Sequence, residues 1–111
     1  MLVTNFKISE RARLVLDRRK SLFKPGPHGA FALSYTSSFT NPDGSTVAGF
    51  VPGWQVCAIG HKYLGPDPLL VMLPHGTTFH LVPRDGWEES EWYLMDLLSL
   101  DHEVYSITPD V

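Results

Sequence analysis

The chain has 111 residues, a formal net charge of −3 and a single cysteine. This length suits one domain and is too short for two well-packed ones. A lone cysteine excludes an intramolecular disulfide, and the longest apolar run, residues 69–73, is far too short to cross a bilayer. We therefore expect one domain over residues 1–111, in the cytoplasm and without membrane contact.

The charges are distributed unevenly along the chain. Seven of the nine basic residues lie within residues 7–24, whereas eight of the twelve acidic residues lie within residues 85–110, where there is no Lys or Arg. Two interpretations stay open: the two blocks lie near each other in the fold, or each faces a separate partner. Nucleic-acid binding is not expected, because the chain is net acidic and Glu10 and Asp17 interrupt the basic block.

The first predicted element is a helix that begins at Ser9, a favourable N-cap residue preceded by the apolar Ile8. Apolar residues recur at helical spacing up to Phe23, and residues 24–29, rich in Pro and Gly, end the helix. Arg19 lies near the middle of this apolar stripe, and Leu14 points away from it. The pattern predicts an amphipathic N-terminal helix.

Residues 30–83 have the pattern of short strands separated by turns. Residues 30–36 alternate large and small side chains, as in a half-buried strand. The other predicted strands are residues 46–51, 54–60, 69–73 and 77–82. Asn-Pro-Asp-Gly at 41–44 and several Pro-Gly or His-Gly pairs separate them. We expect five short antiparallel strands in a sheet or a small open barrel.

The last third of the chain allows two assignments. Trp87, Leu94 and Leu98 share a face if residues 87–98 form a helix, which we favour. The alternative is a strand at 92–98, a turn at 99–102 and a final strand at 103–107. The predicted fold class is therefore α+β: one small domain with an N-terminal amphipathic helix, about five antiparallel strands, a C-terminal helix and a final short strand.

The sequence contains no phosphate-binding loop, dinucleotide-binding glycine motif, paired-cysteine zinc motif or His-Glu-x-x-His motif. It therefore assigns no catalytic residue and no cofactor. His61, His75 and His80 lie in or beside predicted strands, and neutral imidazole is a good metal ligand. They are metal-site candidates if they converge; the alternative is that they are surface residues at strand ends.

Arg19 and Glu91 are candidate ligand-binding residues. Each is a charged residue on the apolar face of a predicted helix, and burying a charge alone is costly. We hypothesise that the two helices pack on the sheet with Arg19 and Glu91 in contact. In the functional version of this hypothesis, Arg19 binds an anion in a pocket.

Trp87, Trp92 and Leu14 are candidates for an interaction surface, since tryptophan beside acidic residues is common in protein–protein contacts. The favoured function is a non-catalytic binding protein, such as an inhibitor, immunity or accessory factor. It would act through its acidic, aromatic C-terminal surface on a partner protein or on a second copy in a homodimer. The alternative is a small-ligand or metal-dependent enzyme whose pocket uses Arg19, Glu91 and the three histidines.

Overall fold

The computed structural model describes residues 1–24 and 29–110. Within them lie eight strands in one sheet and a single α-helix. The strands are β1 (Leu2–Val3), β2 (Phe6–Ile8), β3 (Ala30–Thr36), β4 (Gly53–Ile59), β5 (Leu69–Met72), β6 (Thr78–Leu81), β7 (Tyr93–Ser99) and β8 (Val104–Pro109). The helix is α1 (Glu10–Leu22), and a short 3₁₀ helix spans His61–Tyr63.

The strand order is β1-β5-β6-β3-β4-β8-β7-β2. Strands β1 and β2 therefore form the two outer edges of the sheet, although only Thr4 and Asn5 separate them in the chain. Two residues of extended chain span only about 7 Å beyond the strand ends. The sheet must therefore curl until its edges meet at this one N-terminal segment, and we call the result the ring.

The interior of the ring is the core. Two residues that lie directly opposite each other on paired strands have their side chains on the same face of the sheet. Through the pairs β3–β4, β4–β8 and β8–β7, the inner face therefore contains Tyr35, Trp54, Tyr105 and Leu97. Buried apolar side chains from every strand except the edge strand β1 join them. Helix α1 contributes Ala12, Val15 and Leu16 to the same core. The exposed outer positions of the strands carry smaller or polar residues together with a few leucines.

The predicted start of the helix is confirmed. Ser9 is the N-cap, and its hydroxyl accepts a hydrogen bond from the backbone N–H of Ala12 at 3.3 Å. The helix ends at Leu22, before the Pro- and Gly-rich residues. Residues 25–28 of that predicted stop lie outside the described part of the chain. Arg19 is exposed, so the apolar stripe is shorter than its spacing suggested.

The predicted α+β class is wrong, because residues 87–98 do not form a C-terminal helix. Residues 93–99 form strand β7, with Tyr93, Met95 and Leu97 buried while Leu94 and Leu98 are exposed. This period-two burial outweighs the helical spacing of Trp87, Leu94 and Leu98, because the strand buries three large side chains between β2 and β8.

Two further expectations about the strands are wrong. Residues 46–51 do not form a strand: the isolated bridge between Thr40 and Thr46 is their one pairing, and Gly49 has a φ of 76°. The sheet is also mixed and not antiparallel throughout, since β1–β5, β2–β7 and β3–β6 are parallel pairs. The ring requires at least one parallel pair, because seven antiparallel pairs would leave the edge strands β1 and β2 running in opposite directions, whereas both belong to one N-terminal segment.

Candidate functional site: an aromatic groove beside strand β8

The ring is incomplete between β4 and β8. These two strands share one residue pair, Trp54 with Tyr105, whereas β8 pairs with β7 over almost its whole length. Just before Trp54, a Cβ on Gly53 would lie 2.5 Å from Cγ1 of Val104 and 2.7 Å from the carbonyl oxygen of Tyr105. Only glycine allows the chain to approach β8 this closely.

The chain before Gly53 turns away from the second half of β8. Pro52 lacks the N–H that a continued ladder would need. The ring of Phe50 lies 5.6 Å from the ring of His102, at the opposite end of β8 from Pro109. On the side away from β7, residues 106–109 of β8 therefore border open space and not a neighbouring strand.

That open space is a cavity of about 300 Å³ with a largely aromatic wall, which we call the aromatic groove. Trp54 makes edge-to-face contacts with Tyr35 and Trp87, with ring centroids 5.8 and 5.7 Å apart. Trp87 stacks on Tyr93 at 4.8 Å. The Arg84 guanidinium lies 3.8 Å from the centroid of the Tyr35 ring. The groove therefore offers aromatic faces and edges, with one cation at its rim.

The β6–β7 loop, residues 82–92, forms the outer wall of the groove. The Tyr93 hydroxyl donates to the carbonyl of Glu88 at 2.6 Å and accepts from the N–H of Ser90 at 2.9 Å. The Asn5 side-chain amide donates to the carbonyls of Ser90 and Glu91 at 3.2 and 3.0 Å. These bonds fix the loop to β7 and to the N-terminal segment, so the wall is preformed.

The same loop carries four acidic residues, all exposed: Asp85, Glu88, Glu89 and Glu91. Within residues 1–24 and 29–110, none of them makes an ion pair. Arg84 is the one cation of the loop, and it is already stacked on Tyr35. The β6–β7 loop is therefore net negative, and Glu88 is the acid of this loop that lines the groove.

The arginines of helix α1 are paired with other acidic residues, whereas the Lys20 ammonium donates to the carbonyl of Thr78. Arg11 forms a two-point contact with Asp96, at 2.9 and 3.0 Å. Arg18 and Arg19 both contact Glu103, at 2.8 and 3.2 Å. The basic block at residues 7–24 and the acidic block at residues 85–110 therefore pair only in part. The acids of the β6–β7 loop take no part in these ion pairs.

Asp96 is the most heavily bonded of these acids. Besides Arg11, it accepts hydrogen bonds from the Ser9 hydroxyl at 2.6 Å and from the N–H of Leu97 at 2.7 Å. The Arg11 and Ser9 bonds hold the pKa of Asp96 well below its ordinary value. This carboxylate fastens the start of α1 to β7, which indicates a structural role.

The expected contact between Arg19 and Glu91 is wrong. Arg19 contacts Glu103, which lies at the turn before β8 with a φ of 51°. Glu91 lies in the β6–β7 loop and not on a helix, because the C-terminal helix does not form. As ligand-binding residues, Arg19 and Glu91 remain a prediction, but the structure does not bring them together.

The three candidate metal ligands lie in different surroundings. His75 contacts the carboxylate of Asp17 at 3.0 Å, at the turn between β5 and β6. His61 and His80 line a separate cavity of about 230 Å³ that also contains Lys20. No group of three or more His, Cys, Asp or Glu side chains suited to a metal occurs in the described part of the chain.

Asp17 and His80 have pKa values shifted from their ordinary values, each with a clear physical cause. Burial raises the pKa of Asp17, but hydrogen bonds from His75 and Thr77 outweigh it and leave the pKa below its ordinary value. Burial, together with the nearby His61 and Lys20, lowers the pKa of His80. Asp17 therefore favours its charged form and His80 its neutral form. The bonds to Asp17 fasten the middle of α1 to the β5–β6 turn.

The three candidates for an interaction surface do not form one patch. Trp87 is half-buried in the groove wall, whereas Trp92 is exposed outside the groove beneath the Lys7 ammonium. Leu14 is exposed on α1, as expected from its position off the apolar stripe. Of the three, Trp87 alone lines the groove.

Most residues of the groove are not recognisable as functional from the sequence. Tyr35 falls in a predicted strand and Tyr93 in the favoured C-terminal helix, and the sequence gives neither of them nor Arg84 a functional role. The one available signal was Pro52-Gly53, since proline interrupts a strand ladder and glycine permits close approach. That pair was assigned to a turn between two strands, so the open edge of β8 was not anticipated.

Comparison with known proteins gives no match to a family model, a curated protein or a solved structure. Among the described residues, no helix has both the length and the apolar character needed to cross a membrane.

Proposed function

We propose that this protein is a non-catalytic binding module that recognises a partner protein through the aromatic groove and the acidic β6–β7 loop. The partner would place an apolar or aromatic side chain in the groove and basic residues beside the loop. This proposal narrows the acidic, aromatic C-terminal surface predicted from the sequence to one face of the ring. An inhibitor or accessory factor would use such a surface.

The observation that supports the proposal is that some acidic residues have an ion-pair partner and others do not. Asp96 and Glu103 have arginine partners on α1, whereas the four acids of the β6–β7 loop have no ion-pair partner within residues 1–24 and 29–110. Glu88 lines the open aromatic cavity, and the other three acids lie on the same loop. Tryptophan and tyrosine in a pocket are frequent anchors of binding energy, and charges at the rim select the partner.

The alternative of an enzyme using Arg19, Glu91 and the strand histidines has no comparable observation in its favour. Arg19 lies against Glu103, Glu91 lies in the β6–β7 loop, and the histidines lie at two separate places. We propose in addition that the protein acts in the cytoplasm, where the half-buried thiol of Cys57 stays reduced.

The test is selection from a displayed library of random twelve-residue peptides, using the full chain as bait. Enriched peptides should combine an aromatic or large aliphatic residue with flanking Lys or Arg. Their affinity should fall as salt rises from about 0.05 to about 0.5 M, because the attraction to the acidic loop is screened. A library that yields no binder, or only acidic binders, contradicts the proposal.

Two matched variants locate the binding surface. Trp87→Ala removes a wall of the groove and should weaken binding of the enriched peptide at least about tenfold. Trp92→Ala removes an exposed tryptophan outside the groove and should leave the affinity nearly unchanged. The opposite ranking of the two variants would overturn the assignment of the groove.

Self-association through the same groove is the competing outcome, since a homodimer is also compatible with the sequence. Sedimentation of the purified chain distinguishes the two cases. A monomer that binds peptide supports recognition of a different protein. A dimer that Trp87→Ala dissociates shows that the natural occupant is a second copy, which contradicts the proposal.

A further inference from the structure

The hydrogen-bond pattern of β8 shows which of its backbone groups face the aromatic groove. The N–H of Asp110 donates to the carbonyl of Trp92 at 2.9 Å. In an antiparallel ladder, alternate residues bond to the same neighbour. Ser106 and Thr108 therefore also direct their backbone groups towards β7. The backbone groups of Tyr105, Ile107 and Pro109 point to the other side.

On that other side, Tyr105 meets Trp54 of β4, and the pairing then stops. The next bonded position would need the carbonyl of Pro52 opposite the N–H of Ile107, but the chain has turned away. Among the described residues, β4 and β8 share no residue pair beyond Trp54 with Tyr105, so their ladder does not reach the backbone of Ile107. The N–H and C=O of Ile107 and the C=O of Pro109 are thus directed into the groove.

This inference rests on the proposed function and specifies how the partner binds. We propose that a segment of the partner binds as an added β-strand along residues 106–109 of β8, in the position that β4 leaves empty. Its backbone would bond to Ile107 and Pro109. The side chain opposite Ile107 would point inward, as Ile107 does, and enter the aromatic groove.

The occupant is a segment of another protein and not a second copy of this chain, because of the charge beside the edge. Two copies joined through their β8 edges would bring two β6–β7 loops together. Each loop carries four acidic residues and one arginine already stacked on Tyr35. Like charges so placed repel, whereas an extended segment with basic residues is attracted.

The contact is short, so the groove must supply much of the affinity. Four strand residues span about 13 Å, and proline has no N–H to donate. The edge therefore offers one donor and two acceptors. These bonds fix the direction and register of the segment, while the aromatic groove selects its central side chain.

Amide hydrogen exchange followed by NMR tests this mode of binding on the full chain. In the free protein, the N–H of Ile107 should exchange much faster than that of Thr108, which bonds to β7. Adding the most enriched peptide of the selection should slow exchange at Ile107 at least about tenfold and leave Thr108 nearly unchanged. Strong protection of Ile107 in the free protein would show that the edge is already paired, which overturns the inference.

The peptide itself gives a second measurement. Methylating its backbone nitrogens one at a time should abolish binding at alternate positions only, because every second N–H of a strand faces β8. A peptide that requires Trp87 but tolerates methylation everywhere, with exchange at Ile107 unchanged, overturns strand addition and leaves the proposed function standing. A peptide whose binding ignores Trp87 contradicts the proposed function itself.

Discussion

Two regions of the molecule differ in whether their charges and strand edges have partners. The first is helix α1 with strands β7 and β8, and the second is the β6–β7 loop with the aromatic groove. Beside the helix, each arginine has a carboxylate partner, and the β7 edge of β8 is paired. At the groove, the acids have no ion-pair partner within the described ranges, and the facing edge of β8 is open. Strand β8 therefore belongs to two regions: a closed region, where its edge is paired with β7, and an open region, where its other edge faces the groove.

This contrast separates groups that hold the fold together from groups available for binding. Satisfied charges and paired strand edges are expected wherever a protein stabilises itself. A strand edge left open beside an aromatic cavity is a liability unless something covers it. Substitutions that break these paired contacts should therefore cost stability, and substitutions of the exposed acids of the β6–β7 loop should cost much less.

The largest expected effect is at the point where the ring splits. Gly53→Ala places a methyl group 2.5 Å from Cγ1 of Val104 and 2.7 Å from the carbonyl of Tyr105, which forces β4 away from β8. We expect the free energy of unfolding to fall by about 3 kcal/mol in urea titration. Gly44→Ala is the control, because Gly44 has a φ of 90° with no atom nearby, and only about 1 kcal/mol should be lost there. Equal costs at both sites would mean that the close approach at Gly53 is not a constraint.

The next effect concerns the attachment of α1 to β7. Asp96→Asn weakens bonds from Arg11 and Ser9, and we expect a loss of about 2 kcal/mol at pH 7. Asp101→Asn, an exposed acid in the β7–β8 turn, is the control and should change stability by less than about 0.5 kcal/mol.

The cost of Asp96→Asn should depend on pH. The pKa of Asp96 is lowered in the folded state by Arg11 and Ser9, so its stabilising contribution is fully present above the pKa of the unfolded chain, about 4. The contribution is lost progressively as the pH falls below that value. Urea titrations at several pH values should therefore show the wild-type and variant proteins converging in acid, and a constant difference would exclude this account.

The elements set by local sequence were the ones that could be predicted. Helix α1 begins at its expected N-cap, because the Ser9 hydroxyl bonds to a backbone N–H only three residues away. Strand β3 occupies residues 30–36 as expected, and β4, β5 and β6 lie within a residue or so of their predicted positions. Alternating side chains between strong turns fix these strands locally.

The elements that depend on distant partners could not be predicted. Strands β1 and β2 have two and three residues, and they form because β5 and β7 offer free edges. Residues 93–99 fit both a helix and a strand by spacing, and pairing with β2 and β8 decides between them. The groove is less predictable still, because it depends on the path of the chain around Gly53.

The smallest expected change in stability comes from replacing one acid in each of the two regions. Glu103→Gln removes a carboxylate shared by Arg18 and Arg19, and the free energy of unfolding should fall by about 1 kcal/mol at low salt. Glu89→Gln removes an exposed acid of the β6–β7 loop and should leave stability within about 0.5 kcal/mol, with a slight gain from reduced repulsion. Binding of the enriched peptide should show the reverse order, with Glu89→Gln weakening it and Glu103→Gln leaving it unchanged. If Glu89→Gln destabilises the protein as much as Glu103→Gln does, the acids of the loop serve the fold, and the distinction between the two regions fails.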